Sequence, residues 1–162
     1  YVGIEPTADN LFEYSKKTSK NKIRNLLFLI SSIENLGSEL DGKADMVYVN
    51  CPWGTLLEAV VKDLPDLLRK ISNLGKAGSV FSFTFAYSKI HEPSEIEKRA
   101  LPLLSEDYLD NQLRDIYRKA GLEIESCTNL SPPDIKNFGS LWAKKLFLGK
   151  NRDVFRIISK KS

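Results

Sequence analysis

The sequence is short of the residues that most catalytic and metal-binding chemistry needs. Its 162 residues include one histidine, His91. That excludes a His-based metal cluster and argues against Ser-His-Asp catalysis. Two cysteines, Cys51 and Cys127, are too few for a disulfide framework or a Cys-rich zinc site, so no metal is expected. The longest unbroken apolar run is Leu26-Leu27-Phe28-Leu29-Ile30, far below the roughly 20 residues that span a bilayer. No secretory leader is visible, so a cytoplasmic chain without membrane association is expected. The first residue is Tyr1 rather than Met, inside an apolar strand-like run. The N-terminus of the parent protein is therefore expected to lie upstream. Repeats and low-complexity stretches are lacking too.

What is present fits a globular chain. With 42% hydrophobic and 28% charged residues, the composition excludes a disordered polymer. The length suits one domain over residues 1–162, expected to be N-terminally incomplete. The net charge of +3 hides an uneven distribution. Residues 140–162 carry Lys144, Lys145, Lys150, Arg152, Arg156, Lys160 and Lys161 against Asp153, a local charge of +6, while the rest is −3. A basic end on an acidic body suits a phosphate backbone, though it also suits a solvated helix face and a ragged terminus.

The apolar periodicity alternates between strand and helix. Tyr1–Ile4 reads as a strand closed by Glu5 and broken by Pro6, with a helix pattern through Leu11, Phe12, Tyr14 and Ser15. Leu26–Ile30 and Asp45–Asn50 read as strands, Leu56–Val61 and Leu64–Leu74 as helix, and Ser79–Tyr87 as a long strand. Ser105 is placed as the N-cap of a helix running to Ala120 and stopped by Gly121. Leu122–Glu125 starts another strand, Phe138–Leu148 has helical spacing, and Val154–Ile158 is a closing strand. This order predicts an α/β fold with a doubly wound, mostly parallel sheet.

In such a sheet ligands bind beyond the carboxyl ends of the strands. Glu5 stands at one such end, where a carboxylate can accept two ribose hydroxyls, or can simply close an Ile-Glu-Pro turn. Ser31-Ser32-Ile33-Glu34 follows the second strand. Asn50-Cys51-Pro52-Trp53-Gly54-Thr55 follows the third. Proline fixes one backbone angle there and Gly54 permits a tight turn, so Trp53 either stacks on a planar ring or packs into the core. The pattern is similar to the Asp/Asn-Pro-Pro-aromatic loop of methyltransferases acting on amino groups of bases, with Cys51 at the second position. Cys51 as a nucleophile would have no histidine near it in sequence. Trp142, at helical spacing with Leu146 and beside Lys144 and Lys145, suits a core position or a nucleic-acid surface. The stretch Glu92–Arg99 reads as a polar loop, with His91 as a surface residue.

Three ordered blocks resemble one family. Pro52-Trp53-Gly54-Thr55-Leu56-Leu57-Glu58, Glu95–Ser105 and Ser140-Leu141-Trp142-Ala143-Lys144-Lys145-Leu146, together with Tyr1–Pro6 and Asn10-Leu11-Phe12, are similar to the 16S ribosomal RNA adenine-1408 N1-methyltransferases, the aminoglycoside-resistance enzymes of the NpmA/KamB type. The resemblance implies a Rossmann-like class I methyltransferase fold using S-adenosylmethionine. It implies that Glu5 and Pro6 face the cofactor ribose, Ile33 and Glu34 its adenine, and Thr55 and Ser140 the methyl donor. It implies that Trp53 and Trp142 clamp a flipped adenine. Glu92 and Arg99, in the loop after the Ser79–Tyr87 strand, and the basic Lys144, Lys145, Lys150 and Arg152 are implied to meet rRNA. The implied partner is 16S rRNA within the 30S subunit, met by a monomer.

Three departures stand out. The first strand and Gly-rich loop of the cofactor cradle are absent from this sequence. Asn50-Cys51 replaces an apolar pair, and Lys145 stands where a close relative carries arginine, giving up bidentate phosphate geometry. The competing expectations are a tRNA or DNA base methyltransferase and a non-catalytic RNA-binding relative. A NAD-type Rossmann enzyme would leave the Pro-Trp loop and basic tail without a role.

Overall fold

The structure is a computed structural model that describes residues 1–131, 134 and 153–162. The chain forms two compact units, Tyr1–Glu39 and Leu40–Ser162.

The first unit holds β1 (Val2–Glu5), α1 (Ala8–Lys20) and β2 (Leu27–Ile30). β1 and β2 pair in parallel, with Val2 opposite Leu27 and Glu5 opposite Ile30. Parallel neighbours need a crossover, and α1 supplies it. Pro6 ends β1 because its ring cannot continue the ladder. Gly3 is required by packing: a Cβ there would lie 2.9 Å from the Phe28 ring on the paired strand. Lys17 and Lys20 fall in the last turn of α1, where cations complement the helix dipole.

The second unit runs β3 (Ala44–Asn50), α2 (Thr55–Val61), α3 (Pro65–Asn73), β4 (Gly75–Phe85), α4 (Pro93–Arg99), α5 (Leu113–Lys119), β5 (Leu122–Asn129) and β6 (Phe155–Lys161). Its sheet order is β3-β4-β6-β5. β3 and β4 are parallel, whereas β6 is antiparallel to both of its neighbours. The sheet is therefore mixed. Parallel pairing, as expected, relates β3 to β4 and β1 to β2, while the closing strand reverses direction.

The second half of β4 is buried on both faces, with its phenylalanines on one and Ser82 and Thr84 on the other. Phe81, Phe83 and Phe85 alternate along β4, as period two requires, and all are fully buried. Tyr117 of α5 meets Phe83 edge-on at 5.2 Å between ring centroids. Leu68 and Ile71 of α3, Leu113 of α5 and Ile157 of β6 complete the packing.

Most expected elements are present, with two shifts. β4 begins at Gly75, earlier than the expected Ser79, and ends at Phe85. Glu92–Arg99, expected as a polar loop, contains α4. Pro93 sits in its first turn, where the missing N–H costs nothing. The Ser105 cap is present: its Oγ accepts from the Tyr108 N–H at 3.2 Å. The helix it opens is π-helical over Tyr108–Gln112 before continuing as α5. Among the described residues, no helix is long and apolar enough to cross a membrane.

Candidate active site

In the first unit the parallel register brings the carboxyl ends of β1 and β2 side by side. The Ser31 N–H donates to the Glu5 carbonyl at 3.2 Å. Glu5 and Pro6 thus neighbour the turn that carries Ile33 and Glu34. That turn is closed by the Asn35 N–H on the Ser32 carbonyl at 3.2 Å. Ile33 is half-buried and Glu34 exposed. The Glu5 carboxylate is oriented locally. Its Oε1 accepts from the Thr7 N–H at 3.2 Å and from Asn10 Nδ2 at 2.9 Å. A carboxylate fixed through one oxygen at a strand end keeps the acceptor capacity that the hydroxyls of a ribose diol require. The residues present therefore fit the nucleoside part of S-adenosylmethionine.

In the second unit the Cys51 N–H donates to the Thr84 carbonyl at 2.8 Å, extending the β3–β4 ladder to the start of the Pro-Trp turn. Cys51 and Pro52 are buried, and Trp53 is 40% exposed. The open choice for Trp53 is thus settled against a core position. Burial pushes the Cys51 thiol up to about 11, so it is protonated at neutral pH and unsuited to nucleophilic attack. Gly54 has φ 63° and ψ −136°, a conformation essentially restricted to glycine. Its carbonyl accepts from the Glu58 N–H at 3.1 Å as α2 begins, with Thr55 exposed in the first turn.

α2 is anchored along its length. Leu57, Ala59, Val60 and Val61 are buried. The Tyr117 hydroxyl donates to the Val60 carbonyl at 3.1 Å, and the Tyr108 hydroxyl to the Val61 carbonyl at 2.6 Å. These bonds satisfy carbonyls that a helix end otherwise leaves unpaired.

Arg99, at the end of α4, joins this helix. Its Nη1 donates to Glu58 Oε1 at 2.5 Å and its Nε to Glu95 Oε2 at 2.8 Å. Lys62 Nζ reaches the Arg99 carbonyl at 2.5 Å and Glu58 Oε2 at 3.4 Å. Two cations and two carboxylates balance within this cluster. The Arg99 hydrogen bond holds the Glu58 carboxyl below its ordinary range. Glu92 closes the loop before α4, its Oε2 accepting from the Ser88 N–H at 3.0 Å. His91 is exposed in that loop. Tyr87, at the end of β4, donates its hydroxyl to the Pro102 carbonyl at 2.6 Å, and burial raises its pKa.

Ser140, Trp142, Lys144, Lys145, Lys150 and Arg152 lie outside the described residues. The rest of the basic tail divides. Lys160 pairs opposite Val80, and Lys161 Nζ donates to the Gly75 carbonyl at 2.9 Å, at the amino end of β4. These two lysines stand at the far end of the sheet from the Pro-Trp turn, because β6 runs antiparallel to β4.

Comparison with known proteins decides the family. The family model for NpmA, 16S rRNA (adenine(1408)-N(1))-methyltransferase, matches residues 1–161. The chain belongs to the 16S rRNA (adenine(1408)-N(1))-methyltransferase family. A relative of that name from Escherichia coli is 41% identical, over 97% of this chain and 74% of the relative. A solved structure described as an antibiotic-related methyltransferase superposes with a TM-score of 0.84 at 35% identity, covering 99% of this chain and 75% of that one. A variant of the 16S rRNA (adenine(1408)-N(1))-methyltransferase from Catenulisporales acidiphilia, solved with cosubstrate SAM, superposes at 0.83 with 27% identity, covering 99% and 74%. The α/β methyltransferase fold is thereby established.

Two groups in this methyltransferase escaped the sequence reading. Glu58 was visible only as part of a matching block, and its partner Arg99 is 41 residues away. No local pattern links them. The second group is Lys16, Lys17, Lys20, Lys22 and Arg24, all exposed on α1 and the turn after it. Lys16 Nζ lies 4.1 Å from the centre of the exposed Phe12 ring. A signal existed: five basic residues within nine positions, without an acid among them. Averaging them into an acidic body hid it.

Proposed function

We propose that this chain transfers a methyl group from S-adenosylmethionine to N1 of adenine 1408 in 16S rRNA, acting on the 30S subunit as a cytoplasmic monomer and conferring aminoglycoside resistance. Membership of the family supports the reaction. The observation that carries it to a site is Trp53, exposed on a buried, glycine-dependent turn at the carboxyl end of β3.

The bound cosubstrate supplies an electrophilic methyl group. Glu5 and Pro6 would hold its ribose and Ile33 and Glu34 would border its adenine, with Thr55 and Ser140 assigned to the methyl donor by the family resemblance. Adenine N1 carries a lone pair at neutral pH, so its attack needs no strong general base. The protonated Cys51 and the buried, hydrogen-bonded Tyr87 agree with that. The protein's work is to flip the base and align it. Trp53 and Trp142 stack on its two faces, worth about 1–3 kcal/mol per base. The methylated ring gains positive charge, which the same indole faces attract. Glu92 and Arg99 form part of the rRNA-facing wall. Lys144, Lys145, Lys150 and Arg152 meet phosphates, and the α1 lysines offer a second electropositive surface for the same backbone.

Primer extension on 30S subunits incubated with the protein and S-adenosylmethionine tests this reading. A new stop at adenine 1408 is expected. Methylation confined to tRNA or DNA would replace it with the competing enzyme reading. Binding to 30S without any methyl incorporation would point to a non-catalytic RNA-binding protein.

A further inference from the structure

We infer that Glu58 is a positioning residue for methyl transfer, acting through Arg99 to hold the Trp53 turn in register with the loop after β4. This rests on the proposed rRNA methylation and extends it to a residue that touches neither base nor cofactor.

The geometry is specific. Glu58 lies in the first turn of α2, and its N–H is bonded to the Gly54 carbonyl. Its carboxylate reaches across to α4, where it shares Arg99 with Glu95. The Arg99 Nη2 atom lies 3.6 Å from where a Gly54 Cβ would stand, so the guanidinium packs against the turn that presents Trp53. Glycine is demanded at 54 by the backbone angle, while Arg99 lies at ordinary contact distance from the turn. The Glu58, Lys62, Arg99 and Glu95 side chains are only 16%, 28%, 22% and 31% exposed, so water screens them incompletely.

The far end of α2 is held separately by Tyr108 and Tyr117 and by its buried apolar face. Removing the Glu58 charge thus releases the near end, where Trp53 sits, while leaving the helix in place. Arg99 then keeps only Glu95 among its described carboxylate partners, and its tie to α2 is reduced to the hydrogen bond from Lys62 to its carbonyl. A displacement of about 1 Å in a group that aligns the reacting base costs roughly 100-fold in rate.

The test is Glu58→Gln, assayed on 30S subunits beside the wild type, with unfolding temperature and S-adenosylmethionine affinity measured on the same preparations. The expected result is a kcat lower by roughly 10–100-fold, with KM for 30S and cofactor affinity close to wild type and the unfolding temperature only slightly lower. The conservative change Glu58→Asp, which keeps the charge, should retain more of the rate than Glu58→Gln. Wild-type turnover in Glu58→Gln overturns the inference. So does a variant that fails to fold, which assigns Glu58 to stability alone, or a Glu58→Asp variant no better than Glu58→Gln. A folded wild type that leaves adenine 1408 unmethylated refutes the rRNA reading instead, and is scored in the same assay.

Discussion

Residues 1–39 and 40–162 hold their functional side chains in different ways. The first unit is a parallel strand pair with one helix, and Leu36 is its one buried apolar side chain among the described residues. Glu5 is aimed there by two short-range hydrogen bonds to Thr7 and Asn10. The second unit places Trp53 on a turn whose flanks are buried. It is backed by the α2 core, two tyrosine hydroxyls and the Glu58–Arg99 pair. The acid proposed to face the cofactor is set by its own neighbourhood in sequence. The proposed base clamp is set by contacts 40 and more residues away.

Substitutions should break this contrast in order of size. Phe83→Ala removes a fully buried ring from the second unit and should cost about 3–5 kcal/mol in denaturant unfolding. A much smaller loss would mean that the second unit is not the scaffold described. Glu5→Ala should leave the unfolding midpoint nearly unchanged. It should weaken S-adenosylmethionine binding in calorimetry by about 1.5–3 kcal/mol, the worth of a charged hydrogen-bond partner. Equal loss of stability and affinity would show that Glu5 serves the fold. Tyr117→Phe deletes only the bond to the Val60 carbonyl, so about 1 kcal/mol of stability should go.

The smallest effect is a pH dependence. The Glu58 carboxyl is held below its ordinary range in the folded chain, chiefly by Arg99. Its stabilisation is therefore complete above the unfolded value of about 4.3 and fades as pH falls through the lower folded value. The stability gap between wild type and Glu58→Gln should close across that acidic window. A gap unchanged down to pH ~3 would contradict the ion pair.

The sequence was legible where one local signal sufficed. Pro6 after Ile4-Glu5, Gly121 after Ala120 and the Ser105 cap marked element ends that the fold keeps. α4 was not legible, because Glu95, Glu97, Lys98 and Arg99 give it a polar surface with little apolar period. Its order comes from the tie to α2. The reversed direction of β6 is a choice of pairing partner that periodicity does not encode. That direction also separates Lys160 and Lys161 from the Pro-Trp end, which a linear charge count could not reveal. Of the residues proposed to act, Glu5 and Trp53 stand at strand ends that the apolar pattern made readable. The braces beneath Trp53 were not, since each joins positions far apart in the chain.

The central claim is that the Trp53 indole works on the base and not on the cofactor. Its most direct test is Trp53→Ala measured beside wild type for methylation of adenine 1408 in 30S subunits and for S-adenosylmethionine affinity. Methylation should fall by at least ~100-fold, because both stacking and alignment are lost, while cofactor affinity stays within about twofold. Wild-type turnover in this variant, or a matching collapse of cofactor affinity, would contradict the account.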